Sequence, residues 1–397
     1  MPKAHTSKRY SCSRPVILIF YSFVGLRLLL GRLDILRSVT FPSAVHEYMI
    51  NGLDTFYPSN NLHPSTDPYV YPFSFSACLL YMDDNIVLPE WLAYHYHFLP
   101  LRHLIIAVDP YGTLAPDKIL KPWREMGMSI EVWHDQDYCD DSICSSEGPA
   151  NKDFYGSHKR LGGRQKIFYQ KCLERHKEMN RTWTTFIDVD EYLAFHRTRS
   201  EERHFGNSSM TVSSFMHSEK DNFSHQACLL LPRTLFGPHE TSPDDAARLE
   251  PPPAGINASL FQTLRFRIHE SWEKRTGLGK SIVDSSQYDA ASDPPIGVHR
   301  VLRKRCPDND VFRLQHYVGS LEVYMSRPND HRRTLGKFQR TVQAFIPGGS
   351  NDDLRGWLSA FSKNVGLQRA IRLTQVTILE ALSEVEEYRK NWNSSMP

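Results

Sequence analysis

No charge of one sign dominates this sequence: 47 Lys and Arg face 45 Asp and Glu over 397 residues, a formal net charge of +2 with His neutral. Without a basic excess, nucleic acid is not an implied partner. Cysteine is sparse, seven in all, and no paired CxxC spacing is present to suggest a zinc site. No internal repeat is visible. After the one apolar run near the N-terminus no small-x-small signal-peptidase site follows, which argues against removal of that run as a cleaved leader.

What is present begins with that run. Lys3, Lys8, Arg9 and Arg14 precede Pro15 to Gly31 (PVILIFYSFVGLRLLLG), 17 residues. That is near the lower limit for crossing a hydrocarbon layer of about 30 Å. Arg27 lies close enough to one end to snorkel. A buried apolar helix has the same composition; the basic flank favours an uncleaved signal anchor with its basic end in the cytoplasm. The reading is therefore a cytoplasmic tail over 1–14, an anchor over 15–31 and a stem over 32–72. The six cysteines beyond the anchor, Cys78, Cys139, Cys144, Cys172, Cys228 and Cys306, are compatible with disulfides. Only Cys139 and Cys144 are close in sequence, as a small covalent loop or as two thiols. Five Asn-x-Ser/Thr sequons, at Asn180, Asn207, Asn222, Asn257 and Asn393, fit a lumenal domain. A high aromatic content, 12%, suits a sugar-handling cleft and an ordinary core alike.

From residue 73 strands and helices alternate. Phe73 to Tyr81, Leu104 to Val108 and Ser129 to Trp133 read as strands, and Leu88 to Leu99 and Pro116 to Met126 as the helices between them. That order predicts an α/β fold with a mixed, mainly parallel sheet flanked by helices. Residues 139–163 are polar and Gly/Ser-rich and read as a loop. Arg164 to Asn180 has helical periodicity, with Ile167, Phe168, Cys172 and Leu173 on one face. Trp183 to Ile187 then runs as a strand into Asp188-Val189-Asp190-Glu191. Further strands are expected at Ala227 to Leu231, Ser281 to Val283, Gly297 to Leu302 and Arg313 to Val318. The catalytic unit is expected over 73–331, followed by a helical C-terminal extension over 332–397.

Carboxylates at the C-terminal edge of a buried parallel strand lie where open α/β sheets bind ligands. On an extended strand Asp188 and Asp190 would point to one side and hold a hard divalent cation, Mn²⁺ or Mg²⁺, with phosphate oxygens completing its shell. Such an ion would neutralise a diphosphate leaving group. A bare Asp-x-Asp also occurs as a solvated strand end; the apolar strand and amphipathic helix before this one raise its weight. The phosphatase class with a nucleophilic Asp-x-Asp normally has Thr where this chain has Tyr192, and carries the motif near its start.

RQKIFYQKCLERHKEMNRTWTTFIDVDEYLAF (164–195) resembles the core of glycosyltransferase family 92. So do ACLLYMDDNIVLPEWLAYHYHFLPLRHLIIAVD (77–109), RTLFG (233–237), GKSIV (279–283), VH (298–299) and HYVGS (316–320), in family order over roughly 73–330. The resemblance implies a GT-A (nucleotide-diphospho-sugar transferase) fold and an inverting, metal-dependent hexosyl transfer to a glycan or glycoprotein acceptor. It further implies a nucleotide-sugar donor, in the first instance UDP-galactose, and a single-pass type II protein of the Golgi membrane with its catalytic domain lumenal. His316 and His299 are candidates for a third metal ligand, and each is equally a candidate for a hydrogen-bonded structural histidine. Asp83, Asp109, Gln165 and Lys280, with Arg164, are candidates for the nucleotide or diphosphate; strand-edge and turn roles stand beside these. Glu240 is the candidate base for the acceptor hydroxyl, with a solvated loop carboxylate as its ordinary reading.

Two positions depart from the family pattern. Asp83-Asp84-Asn85 stands where an Asn-Glu type is common, and the spacer Val318-Gly319 lacks a basic residue that would suit phosphate. Arg313 and Arg327 are candidates to supply that charge. A member without activity, acting as a glycan-binding or scaffold protein, is the other function the pattern allows.

Overall fold

The structure, a computed structural model, describes residues 75–139, 158–196, 211–223, 226–239, 252–270, 279–295 and, with short gaps, 297–395. The chain divides into two compact units, Met1–Thr66 and Asp67–Pro397, and every described residue belongs to the second. The tail 1–14, the apolar run 15–31 and the stem 32–72 lie outside the described residues, as do Cys144, Asn207 and Glu240. Among the described residues no helix is long and apolar enough to cross a membrane.

The first half alternates as its apolar pattern requires: β1 (Phe75–Tyr81), α1 (Leu88–Phe98), β2 (Leu101–Val108), α2 (Asp117–Glu125) and β3 (Ser129–Trp133). α3 (His158–Glu178) starts inside the stretch expected to be loop, and β4 (Trp183–Thr185) follows it. β1, β2, β3 and β4 are parallel, in the order 3-2-1-4. Two antiparallel strands extend this sheet, β6 (Cys228–Leu231) and β9 (Lys280–Asp284), to the order β3-β2-β1-β4-β9-β6.

Both faces of this sheet are covered, which is why its strands read as continuous apolar runs. Ala77, Leu79, Leu104 and Ile106 pack into a core that α1, α2 and the C-terminal helices share. Cys78, Ile105 and Ala107 face the other way, onto Phe168, Cys172 and Leu173 of α3. A disulfide, Cys78–Cys172, joins β1 to α3, and a second, Cys228–Cys306, ties β6 to a point 78 residues further along the chain. Cys139 is disulfide-bonded as well.

A second sheet, in the order β11-β8-β7-β10-β5, was only partly legible. It comprises β5 (Glu191–Phe195), β7 (Arg233–Phe236), β8 (Ile268–Glu270), β10 (Phe312–Tyr317) and β11 (Pro347–Ser350). Of these, β10 matches an expected strand. The strand expected over 297–302 is not present in its described residues Gly297, His299 and Leu302. The tail is helical as expected apart from β11: α4 (Leu335–Ala344), α5 (Trp357–Val365), α6 (Leu367–Ile371) and α7 (Thr377–Ser395). It packs on the helices beside the first sheet: Trp357 stands 5.5 Å from Tyr94 of α1, and Phe361 is 6.1 Å from Trp123 of α2.

Candidate functional site

The chain runs from β1 outward through β2 to β3, then returns to lay β4 on the other side of β1. Strand order therefore reverses between β1 and β4, and a crevice opens beyond their C-terminal ends. A cleft of about 460 Å³ occupies that position. Tyr81, Met82 and Asp84 reach it from the end of β1, Asp109 from β2, and Asp188 and Asp190 from the segment after β4.

Asp188-Val189-Asp190 is where the chain leaves the first sheet for the second. Phe186 and Ile187 are still buried, and Glu191 opens β5, antiparallel to β10. The motif is a turn, not the extended strand expected: Glu191 N donates to the Asp188 carbonyl at 3.0 Å, and Asp188 N donates to Glu191 Oε2 at 2.9 Å. That inward bond takes Glu191 out of the cleft, its side chain fully buried while Asp188 is 45% and Asp190 18% exposed. Both Asp residues reach the cleft, by turn geometry in place of strand alternation.

The two carboxylates are held from opposite sides. Behind Asp188, fully buried Lys280 places Nζ 2.8 Å from Asp188 Oδ2 and 3.7 Å from Glu191 Oε2. Close as they are, no hydrogen bond to Nζ is aligned, so the contact is an ion pair. Burial alone would lower the Lys280 pKa, but Asp188 and Glu191 outweigh it and hold the ammonium protonated. Lys280 thus sits beneath the motif, away from the cleft lining where a diphosphate would lie.

Asp190 is addressed from the front. His316 Nε2 stands 3.7 Å from Oδ1, and Arg333 donates to Oδ2 at 3.4 Å. Burial raises the Asp190 pKa, yet His316, Arg333 and Arg327 together carry it well below the usual carboxylate range. Burial lowers His316, and Asp190 overrides it so that the net direction is upward.

His316 comes from the end of β10, beside Tyr317, whose N–H donates to the Asp190 carbonyl at 2.9 Å. Its Nδ1 is buried with no hydrogen-bond partner. Two carboxylates with an imidazole at one of them suit a divalent cation such as Mn²⁺. His299 does not line the cleft; its Nδ1 is likewise unpartnered, and burial together with Lys280 lowers its pKa. Among the described residues the one cluster of three ligand atoms within 4.8 Å of one another is Cys78, Cys172 and His176, and it is ruled out as a metal site because its two sulfurs are bonded to each other.

Asp109, Gln165, Arg164 and Tyr138 also line the cleft, with Arg164 near both Tyr138 and Asp109. Arg164 is salt-bridged to Asp135, which accepts from the Tyr138 hydroxyl at 2.9 Å. Asp83 is not among the lining residues. Its backbone is left-handed (φ 55°), and its Oδ1 accepts from Thr113 N at 2.6 Å and Leu114 N at 2.7 Å. Asp83 shapes the loop after β2, and the next residue, Asp84, reaches the cleft in its place.

Of the two arginines expected to supply a missing positive charge, Arg327 lines the cleft and is salt-bridged to Asp84. Arg313, 2% exposed in β10, is not among the lining residues. Nothing local marks Arg333 in the sequence; its role comes from a fold that returns Arg327, Asp330 and Arg333 to the cleft beside the Asp-x-Asp. The departure at Gly319 has a local reason as well: its φ of 74° is left-handed, where a side chain is strained, and a Cβ there would also require Gln262 Oε1, 2.6 Å away, to shift.

Parallel order 3-2-1-4, continued by antiparallel β9 and joined at the Asp-x-Asp to a second small sheet, is the GT-A arrangement. No family model matches the chain, and no curated protein does. Solved structures with some likeness include TarS 1–349 of S. aureus in complex with UDP. That one shows 10% identity and a TM-score of 0.30, covering 80% of this chain and 92% of that one. Core-mannan synthase A of Aspergillus fumigatus, in its Mn/GDP form, shows 11% identity and a TM-score of 0.25, covering 56% and 64%. At such scores these likenesses carry no argument, and the fold assignment rests on strand order and connectivity.

Proposed function

We propose that this chain is a metal-dependent glycosyltransferase related to family 92, acting on a nucleotide-sugar donor. The observation that carries the reading is the Asp188-Val189-Asp190 turn at the strand-order reversal, open to the cleft and backed by Lys280, with His316 at Asp190. Asp188, Asp190 and His316 would hold Mn²⁺ or Mg²⁺. Bound there, the cation supplies Lewis-acid stabilisation of a diphosphate leaving group. Asp109, Gln165 and Arg164, which also line the cleft, are suited to the nucleoside.

The finer reading is inverting transfer of galactose from UDP-galactose to a glycan acceptor, with Glu240 as base. The segment 15–31 would anchor the chain in the Golgi membrane with this unit in the lumen. Asn180, Asn222 and Asn257 are exposed sequons, which suits that placement.

The test is donor hydrolysis by the full-length chain over a panel of UDP- and GDP-sugars with Mn²⁺, with and without EDTA, and with Asp190→Ala as control. Metal-dependent turnover of one donor, absent in the variant, is the expected result and names the sugar. A folded protein that turns over no donor and binds no nucleotide with Mn²⁺ sinks the reading and leaves a silent glycan-binding protein.

A further inference from the structure

Both oxygens of Asp190, the atoms a metal would need, are already faced by cation-forming groups. Oδ2 accepts from Arg333 at 3.4 Å and Oδ1 faces His316 at 3.7 Å. Arg333 belongs to a small charged lattice on the cleft wall. Its Nε is 3.8 Å from Asp330 Oδ2, Asp330 is 3.9 Å from Arg327, and Arg327 is salt-bridged to Asp84. None of the four side chains is more than 17% exposed, and all line the cleft. Arg333 also lies 5.0 Å from the Tyr324 ring, a contact that stations its guanidinium in the cleft independently of Asp190.

Among the described residues, Asp190, Asp84 and Asp330 here meet Arg327 and Arg333. A divalent cation arriving alone at Asp190 would displace Arg333 from its partner and place two cations side by side in a poorly solvated wall, where like charges repel strongly. A diphosphate arriving alone would draw Arg333 away and leave the Asp190 carboxylate without it, facing the incoming anion. Together the two ligands satisfy every group: the cation takes Asp190, and the guanidinium moves to phosphate oxygens, which its forked donors match.

The geometry points to Arg333 as an exchange residue that covers the metal-binding carboxylate in the empty protein and passes to the diphosphate on loading, so that metal and nucleotide bind cooperatively. Arg327, fixed on the buried Asp84, is the stationary neighbour. This inference rests on the nucleotide-sugar reading of the cleft. Because coupling between two ligands is reciprocal, each must tighten the other by the same factor.

The experiment titrates the full-length chain with Mn²⁺, following the free-ion electron paramagnetic resonance signal, alone and with saturating UDP, then repeated with GDP. Wild type is expected to bind bare Mn²⁺ weakly and to tighten at least about tenfold with one nucleotide, within the usual range for coupled sites. In Arg333→Gln, bare Mn²⁺ should bind about three- to tenfold tighter while the nucleotide enhancement falls below about threefold. Arg333→Lys, which keeps the charge, should retain most of the enhancement. Unchanged constants in Arg333→Gln, or equal weakening of metal and nucleotide with a lowered Tm, would overturn the exchange and leave a plain structural ion pair. If wild type binds neither nucleotide with Mn²⁺, the nucleotide-sugar reading has failed as well, an outcome separable from the variant results.

Discussion

The two sheets of this molecule are built from different materials. β1, β2 and β9 of the six-stranded sheet bury apolar side chains on both faces, and two disulfides bind its strands to neighbouring segments. The five-stranded sheet buries more ionisable groups, Glu191 in β5, Glu270 in β8 and Arg313 in β10, all under 9% exposed, where the first sheet's chief buried charge is Lys280 in β9. An apolar interior tolerates many exchanges of similar volume. A buried ion set holds only while each member keeps its partner, because an orphaned charge is expensive to leave dry. The first sheet therefore holds the cleft open, with Lys280 behind Asp188, and the second brings His316 to Asp190. Damage to the first should appear as lost stability, and damage to the second as lost ligand binding and turnover.

The sharpest break of that contrast is at Asp190. Asp190→Asn keeps the size of the side chain and removes the anion that His316 and Arg333 face. Metal-dependent donor turnover should fall about 10³-fold, roughly 4 kcal/mol of transition-state stabilisation. Steady-state rates over a Mn²⁺ series, with thermal unfolding of the same preparation, check both halves. A small loss of activity accompanied by a large drop in Tm would reverse the roles assigned to the two sheets.

Removal of the Cys78–Cys172 bridge by the double change Cys78→Ser and Cys172→Ser tests the first sheet. The bond closes a span of 94 residues between β1 and α3. Chain-entropy reasoning puts its contribution at about 4 kcal/mol, and less where the unfolded chain stays compact. Chemical unfolding should show that loss while Mn²⁺–nucleotide affinity, measured well below the transition, stays within about twofold. A collapse of affinity at full folding would mean that the scaffold and the site are not separable.

How much of this could be read in advance follows the same division. β1 to β4, α1 and α2 were legible because a sheet buried on both faces writes itself as apolar runs, and the C-terminal helices because of their helical character. β5 was missed since Glu191 to Phe195 directly continues the Asp-x-Asp and looked like its flank; only the pairing with β10, far along the chain, makes it a strand. For the same reason Asp188 and Asp190 were found, while the turn that presents them was not. Asp83 was preferred to Asp84 because neighbouring carboxylates are indistinguishable in a sequence, and a left-handed backbone at Asp83 decided between them. The charge of Lys280 makes it a candidate for phosphate in the sequence, and β9 instead buries it under Asp188. Arg333 carries no local mark at all.

Lys280 stands where the two sheets meet chemically, and the residue before it gives a smaller test. A Cβ at Gly279 would lie 1.8 Å from the Leu231 carbonyl oxygen, on the strand that pairs with Lys280. Gly279→Ala must push β6 and β9 apart at that point. The expected loss is about 3 kcal/mol by chemical unfolding, at the upper end for overpacking because the obstacle is backbone. Since Lys280 moves with β9, Mn²⁺ affinity should fall as well, about threefold, which a change in the middle of β1 would not produce.

The last effect expected comes from Glu90, in the first turn of α1, which joins the first sheet's helices to the rest. It is 1% exposed, and its carboxyl accepts from Gln262 N at 2.7 Å, Thr263 N at 2.9 Å and Thr263 Oγ1 at 2.6 Å. Thr263 Oγ1 in turn accepts from Trp357 Nε1 of α5 at 2.9 Å. Burial pushes the Glu90 pKa up to about 7 from 4.5, against the pull of those hydrogen bonds. A folded pKa above the unfolded one means that the contribution is fully present below about pH 4.5 and is lost as pH rises towards 7. Stability should therefore decline over that window by about 3 kcal/mol and level off above it. Glu90→Gln cannot ionise, and its amide nitrogen would face a backbone N–H, a penalty that does not vary with pH. Unfolding free energies of wild type and Glu90→Gln at pH 5.0 and 7.5 give the test. The variant should be less stable than wild type at pH 5.0 and should close much of that gap at pH 7.5. A gap of equal size at both pH values would show that Glu90 is ionised in the folded protein throughout, with its three donors outweighing burial.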